Sequence, residues 1–372
     1  MSGFFNEDIG KLGYGNMRLP IVDGEVDYST VYSMVDAFIE GGFSYFDTSF
    51  VYPGSEEVLH KALINRYPRN RFQITTKMSL MVMKSRTDMQ LQIDTSLQRL
   101  GVDFVDFYFL HALSGPFIKK ADEYDAWGFL RDLKEQGKVK HIGFSFHGTP
   151  EELDRLLSDH PYLELCQLQI NYLDWDNPKV QSRRLYEVAR NHNKPIAIME
   201  PNKGGWLASE TSQSGEMLKA ANPEVSAASW AFRFLLGLDG ILTVLTGMGK
   251  IEEVIDNINT VKGYKRLSDE ENMIILKAID IINSTPSVPC TDCRYCVPHC
   301  PNSISIPAYI TYYNNYLVHK DIETFLHLSY MLSRRSARPA SCTKCGECEK
   351  ACPQHIKITE VMAESARLAE TK

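Results

Sequence analysis

The chain has 372 residues, of which 44% are apolar and 23% charged, and its formal net charge is −7. These proportions exclude disorder, collagen and coiled coil as the main architecture, and the length suits two units or one large barrel with a small module. An acidic chain without a long basic run lacks the positive footprint that nucleic acid or an anionic membrane surface requires, so neither is expected as a partner. No apolar run approaches the roughly 18 residues of a membrane span, and MSGFFNEDIGK has no signal-peptide character, so a cytoplasmic protein is expected.

In chain order, an opening run KLGYGNM is followed by FSYFDT, FQITTK, FVDFYFLH, VKHIGFS, LCQLQIN, PIAIMEP and ILTVLTG, all short and rich in β-branched or aromatic residues. Between them lie helical periodicities: Val31, Met34, Val35 and Phe38; Ile93, Leu97 and Leu100; Leu153, Leu156 and Leu157; Ile251, Val254, Ile255 and Ile258. The run ends at Asp47, Lys77, His111, Ser145, Asn171, Pro201 and Thr246 are spaced by about 33 residues, one βα unit per step. Eight strands over about 250 residues predict an α/β fold, a closed (β/α)8 TIM barrel in preference to an open doubly wound sheet.

In such barrels the catalytic groups project from the C-terminal strand ends. Strand two supplies Asp47 and, one short loop later, Tyr52; strand three supplies Lys77; strand four supplies His111. Each residue alone suits an ordinary structural role: a cap, a solvated strand end, a core histidine, one tyrosine among 18. Together, in order on consecutive strands, they form a catalytic constellation.

The stretch GGFSYFDTSFVYPGSEEVLHKAL with ITTK, FYFLH, LGYGNMRLP, VKHIGFSFH and TGMGKIEEVIDNIN resembles the aldo/keto reductases over residues 9 to 262. The resemblance implies an enzyme with Asp47, Tyr52, Lys77 and His111 as its tetrad. A free tyrosine has a pKa near 10, and a nearby ammonium favours the phenolate and lowers that value. Tyr52 is then the proton donor, Asp47 holds Lys77, His111 orients a carbonyl oxygen, and hydride comes from a cofactor. The expected substrate is a small carbonyl or alcohol.

The same resemblance implies NAD or NADP along strands five to eight, contacting Ser145, Gln167, Met199, Pro201, Lys203, Gly247, Gly249, Lys250 and Asn257. Backbone amides at the start of the last helix suit phosphate. GMGK is no P-loop, since Val244 and Ile251 stand where that pattern needs Gly and Ser or Thr. The sequence departs from the family pattern at Phe146, Met199 and Glu253. A carboxylate at Glu253 repels a 2′-phosphate and favours NAD, with Lys203 and Lys250 as compensating cations.

Eight of nine cysteines follow residue 289, past the run NSTPSVP, which divides the chain into a barrel over 1–284 and a module over 285–372. CTDCRYCVPHCP (Cys290, Cys293, Cys296, Cys300) and CTKCGECEKACP (Cys342, Cys345, Cys348, Cys352) both read CxxCxxCxxxCP, the spacing that wraps a 4Fe-4S cubane and leaves a fourth thiolate for another cluster. Two clusters are expected. With the ligand exchange of two-cluster ferredoxins, Cys290, Cys293 and Cys296 share one with Cys352, and Cys342, Cys345 and Cys348 share the other with Cys300. Zinc, usually held by two CxxC pairs, and a disulfide framework do not generate this pattern twice. Apolar spacing in ITYYNNYLV, IETFLHLSYML and Ile358 to Ala369 predicts helices, so the module resembles the helical ferredoxin domains appended to redox enzymes, and the whole chain the ferredoxin-bearing branch of the reductases. Cys166 belongs to a core strand.

A hydride carries two electrons and a 4Fe-4S cluster ordinarily exchanges one, so direct transfer between them needs a converter such as flavin, for which the sequence has no identifiable site. The clusters then have two candidate roles: exchange with ferredoxin or another redox protein, or structure. The competing function is a redox sensor or electron-transfer subunit whose barrel binds nucleotide but performs no chemistry.

Overall fold

The structure, a computed structural model, describes residue 5 and residues 9–370. The chain forms two compact units, one reaching Asn202 and resuming over Asn222–Asn272, the other made of Lys203–Ala221 and the chain from Met273 onward. In space the division thus differs from the 284/285 line read from composition, because the segment Lys203–Ala221, with its helix Gln213–Ala221, and most of the helix Asp269–Ser284 group with the cysteine-bearing module.

The first unit is built on strands β1 (Leu12–Gly15), β4 (Tyr45–Asp47), β5 (Gln73–Met78), β6 (Val105–Leu113), β7 (Val139–Phe146), β8 (Leu165–Gln169), β9 (Ile196–Met199) and β10 (Ile241–Gly247), with a small hairpin of β2 (Ile21–Val22) and β3 (Glu25–Val26). The eight long strands close as β1-β10-β9-β8-β7-β6-β5-β4, all neighbours parallel. All eight strand runs of the sequence are therefore strands, and the barrel is shut.

Both faces of the barrel wall are covered, which is why β6 is apolar almost throughout and buried over its whole length. Tyr45, Phe107, Phe109, Leu165, Ala197, Leu242 and Leu245 form one buried cluster, against which Phe5 and Ile9 pack. The outer helices present the stripes read from the sequence. Val31, Met34, Val35 and Phe38 are buried on the helix Tyr28–Glu40, whose first turn is capped by Asp27 accepting from the Thr30 amide. Thr149 and Glu152 form a capping box that starts the helix Pro150–Asp159. One stripe departs from expectation: on the helix Ile251–Lys262, Ile255 is 48% exposed while Val254 and Ile258 are buried.

In the second unit, helices Ile306–His319, Ile322–Ser333 and Ile358–Glu370 appear where the module's periodicity predicts them. Its core joins Ile304, Ile306, Tyr309, Ile310, Ile356, Ile358 and Met362 to the cysteines. Lys203, Gly204 and Gly205 carry positive φ angles of 45, 66 and 100°. A Cβ on Gly204 would lie 2.6 Å from Thr291 Cα, so only glycine permits this approach. Lys203 is buried and its ammonium donates to Gln354 Oε1 at 3.0 Å.

Within the barrel, a Cβ on Gly143 would lie 2.6 Å from the Leu165 carbonyl oxygen, a backbone atom of the paired strand. Gly143→Ala should therefore cost about 1–3 kcal/mol through forced separation of β7 and β8, read as a fall in Tm of several degrees in thermal unfolding. An unchanged Tm would show that the wall yields there at no cost.

Candidate functional site

The C-terminal ends of β4, β5 and β6 bring four titratable side chains together. Lys77 Nζ lies 2.6 Å from Asp47 Oδ1 and donates to the Thr48 carbonyl at 2.7 Å, with both members of the ion pair almost fully buried. The ammonium stands 5.2 Å from the centroid of the Tyr52 ring. Tyr52 Oη lies 3.4 Å from His111 Nε2. Burial pushes the Asp47 carboxyl above and the Lys77 ammonium below their ordinary values, each opposed by the attraction of the other. A lysine with a depressed pKa is better able to pass a proton than an exposed one.

His111 is aimed by an irregularity in its own strand. The β6–β7 register shifts between Leu110 and Leu113, and Ala112 sits at φ 54°, in the left-handed region that a side chain with Cβ disfavours. The Ala112 amide donates to Ser145 Oγ at 2.7 Å, which holds the bulge. Burial, Lys77 and His147 together hold the imidazole well below its ordinary pKa, so it is neutral at pH 7. Its Nδ1 is 3.0 Å from Ser49 Oγ. If the Ser49 hydroxyl donates there, Nε2 carries the hydrogen and faces Tyr52, so an oxygen placed between them meets two donors.

The loop carrying Tyr52 is fixed from both sides. The Phe50 amide donates to the Lys77 carbonyl at 3.2 Å, and Arg99 Nη1 donates to the Phe50 carbonyl at 3.1 Å. Arg99 also pairs with buried Glu56, whose Oε1 accepts from Thr76 Oγ1. Ser49, His147 and the Glu56–Arg99 pair are functional candidates that sequence reasoning missed. For Ser49 and His147 the signal was a polar residue just past a strand end; Glu56 and Arg99 lie on the helices Ser55–Leu59 and Asp88–Leu100 and carried none.

Of the residues expected at a dinucleotide, Ser145 and Gln167 are buried neighbours across β7 and β8. Gln167 Oε1 and Asn257 Oδ1 are buried without hydrogen-bond partners, which suits amide groups awaiting a ligand. Met199 closes β9 and is half-buried, followed by buried Pro201. Gly247, the last residue of β10, and Gly249 and Lys250, between β10 and the helix Ile251–Lys262, are exposed. Lys203 instead belongs to the second unit, on Gln354. The Gly249 amide, which a phosphate would seek, donates to Glu253 Oε2 at 2.8 Å. The chain's own carboxylate thus caps this end of the site. Arg18, not singled out from the sequence, runs alongside Gly247, and its Nη2 lies 3.9 Å from Glu200.

In the second unit the cysteines line two cavities. Cys290, Cys293, Cys296 and Cys352 border one, and Cys300, Cys342, Cys345 and Cys348 border the other. Each holds three thiols of one motif and the Cys-Pro thiol of the other. The two motifs also fold alike, with positive φ at Asp292, Arg294 and Ser303 in one and at Lys344, Gly346 and His355 in the other. Among the described residues no three His, Cys, Asp or Glu side chains converge as a single ion requires; the thiols ring a space instead. Burial and the neighbouring thiols push Cys296 up, and burial with Glu349 and the neighbouring thiols pushes Cys348 up to about 11. Four thiolates held so close need compensating positive charge, which iron supplies. Cys166 lies elsewhere, fully buried in β8, where burial pushes its thiol up to about 12.

A neutral buried imidazole has a consequence for stability. His111 binds its proton below the unfolded value of about 6.5, so between that pH and its own lower pKa the unfolded chain binds more protons and stability falls as pH falls. Relative to His111→Gln, the unfolding free energy in urea should decline below about pH 6.5, with a slope approaching about 1.4 kcal/mol per pH unit. A pH-independent difference would mean that the imidazole takes up its proton as readily in the folded protein as in the unfolded chain.

The sequence pattern of the aldo/keto reductase family matches residues 11–280, and that of the 4Fe-4S dicluster domain matches residues 289–356. An aldo-keto reductase of Mycolicibacterium smegmatis is 33% identical over 256 residues, covering 68% of this chain and 84% of that protein. The NADPH-dependent alpha-keto amide reductase of Saccharomyces cerevisiae is 27% identical over 197 residues, covering 51% of this chain and 59% of its own length. Among solved structures, an aldo-keto reductase from Klebsiella pneumoniae in complex with NADPH superposes with a TM-score of 0.59 at 21% identity, covering 76% of this chain and 94% of that one, a likeness of fold. The closed parallel barrel, the matched pattern and the Mycolicibacterium relative together show that this chain belongs to the aldo/keto reductase family, with a 4Fe-4S dicluster domain following its barrel in sequence.

Proposed function

We propose that the protein is an oxidoreductase that interconverts a small carbonyl compound and the corresponding alcohol, with a nicotinamide dinucleotide as hydride carrier. The carrying observation is the Asp47–Lys77–Tyr52–His111 geometry: an ammonium fixed 2.6 Å from its carboxylate, 5.2 Å from the Tyr52 ring, with Tyr52 Oη 3.4 Å from His111 Nε2. The bound nicotinamide would supply or accept the hydride. Tyr52 donates its proton to the carbonyl oxygen in reduction and recovers it in oxidation, with the Lys77 charge favouring the phenolate left behind. His111, neutral, donates from Nε2 to the same oxygen and fixes its direction.

Tyr52→Phe keeps the ring and removes the proton. It should lower kcat/KM for carbonyl reduction by about 10²–10⁴-fold, with the dissociation constant of NADH unchanged in a fluorescence titration. Wild-type-like turnover would overturn the assignment.

For the dinucleotide, the buried unpartnered amide oxygens of Gln167 and Asn257 support a nicotinamide-type ligand, as do the NADPH-linked names of the yeast and Klebsiella relatives. Glu253 on the Gly249 amide disfavours a further phosphate there, and the reading is NAD over NADP. Glu253→Ala should release that amide and raise the affinity for NADPH relative to NADH at least tenfold by isothermal titration. An unchanged ratio would place the discrimination elsewhere.

The cysteine cavities support two 4Fe-4S clusters with exchanged ligands, Cys290, Cys293, Cys296 and Cys352 for one and Cys342, Cys345, Cys348 and Cys300 for the other. A second reading rests on the cysteine cavities alone: the barrel binds nucleotide but is catalytically silent, and the protein is an electron-transfer subunit or redox sensor. Anaerobically prepared protein that binds NADH yet turns over no carbonyl compound, in wild type and Tyr52→Phe alike, would select it.

A further inference from the structure

Charge is distributed unevenly in the second unit. From Thr324 to Gly346 the sequence has no Asp or Glu but carries Arg334, Arg335, Arg338 and Lys344, within a chain whose net charge is −7. All four cations are exposed, and none forms an ion pair with a described residue. Elsewhere in the unit Arg294, Lys350 and Arg367 each hold a carboxylate a few residues away. Unneutralised cations on an acidic protein form a local field of opposite sign to the rest of the chain, which attracts the negatively charged face of an acidic partner.

The patch borders one cysteine cavity. The Ser305 amide donates to Ser336 Oγ at 2.8 Å, Ile304 bridges Ala337, and Asn302 Nδ2 donates to the Ser341 carbonyl. The segment with Arg334, Arg335 and Arg338 is thereby tied to the segment just beyond Cys300. Lys344 lies between Cys342 and Cys345 in the chain, and Cys345 is exposed, whereas the other seven motif cysteines are buried or half-buried. Tyr330 and Met331, 61% and 47% exposed, add apolar surface beside the cations. Apolar contacts with a charged rim are what a transient protein interface uses.

We propose that this face, centred on the cavity of Cys300, Cys342, Cys345 and Cys348, is the docking surface for a small acidic one-electron carrier protein. The proposal rests on the cluster reading above and adds the place and the sign of the contact. A cluster at that cavity would be the one nearest the partner. The reduced carrier gives one electron to that cluster and is itself oxidised by one, with no bond made or broken. Exposed charges act chiefly through the encounter rate, which rises with complementary charge and falls with salt.

The test uses the anaerobic holoprotein, checked first for iron, sulfide and the cluster spectrum, so that failure of the cluster reading is recognised before any partner is added. A reduced acidic ferredoxin is mixed with wild type and with the triple variant Arg334→Gln, Arg335→Gln, Arg338→Gln in stopped flow. The second-order rate of cluster reduction should fall at least tenfold in the variant and lose most of its dependence on ionic strength. Iron content, photochemical reduction by a small dye and NADH-linked carbonyl turnover should stay unchanged. Equal, salt-independent rates in both proteins would overturn the proposal. So would loss in the variant of binding to phosphatidylserine vesicles with ferredoxin rates intact, which would assign the patch to a membrane surface.

Discussion

The barrel site depends on a buried charge that cannot leave. Lys77 is 1% and Asp47 5% exposed, and taking two ions from water is repaid only by close pairing and hydrogen bonds. The Lys77 ammonium meets these terms with one carboxylate oxygen and one backbone carbonyl. Removing either partner would strand the other at a cost of about 3–5 kcal/mol. The remaining parts are arranged around this fixed cation: a tyrosine ring within reach of its field, an imidazole kept neutral partly by its repulsion, and Glu56 held back by Thr76 and Arg99. A hydrophobic pair of the same volume would satisfy the packing but give the phenol nothing to lean on.

A different constraint governs the second unit. Two like motifs each contribute three thiols to their own cavity and one to the other's, so neither cavity is complete within one repeat. The intervening helices carry the chain from the first motif to the second. The repeats diverge just after the Cys-Pro pair: Gln354 receives the Lys203 ammonium, while Asn302 bonds to the Ser341 carbonyl. Near-symmetric cavities therefore sit in unequal electrostatic surroundings.

Much of this architecture is legible in the sequence. Strand runs with a period near 33 residues point to the barrel because a wall buried on both faces must be apolar over whole strands, as in Val105–Leu113. The convergence of Asp47, Tyr52, Lys77 and His111 comes from the rule that strand ends share one rim. What stays hidden is geometry without a residue-type signal. Nothing in an alanine announces a left-handed backbone, yet Ala112 turns His111 into place. Ser49 looks like any loop serine until its hydroxyl is found at the imidazole. On the helix Ile251–Lys262 the buried stripe is narrower than its periodicity suggests and leaves Ile255 outside, since periodicity fixes a face but not its edge. Lys203 reads as a dinucleotide contact because it comes soon after β9, and linear neighbourhood does not say that the next turn packs on Thr291.

That turn bears on how the protein can be cut. Composition puts a seam before Thr285, but Lys203, Leu207 and Leu218 are buried in a unit whose other half begins at Met273. Shortening the chain at the seam would take Gln354 from the Lys203 ammonium and Thr291 from the turn at Gly204, in the middle of what remains. The excised barrel would thus carry a raw patch of its own, and any loss of solubility or activity in it would report that wound as readily as the missing iron sites.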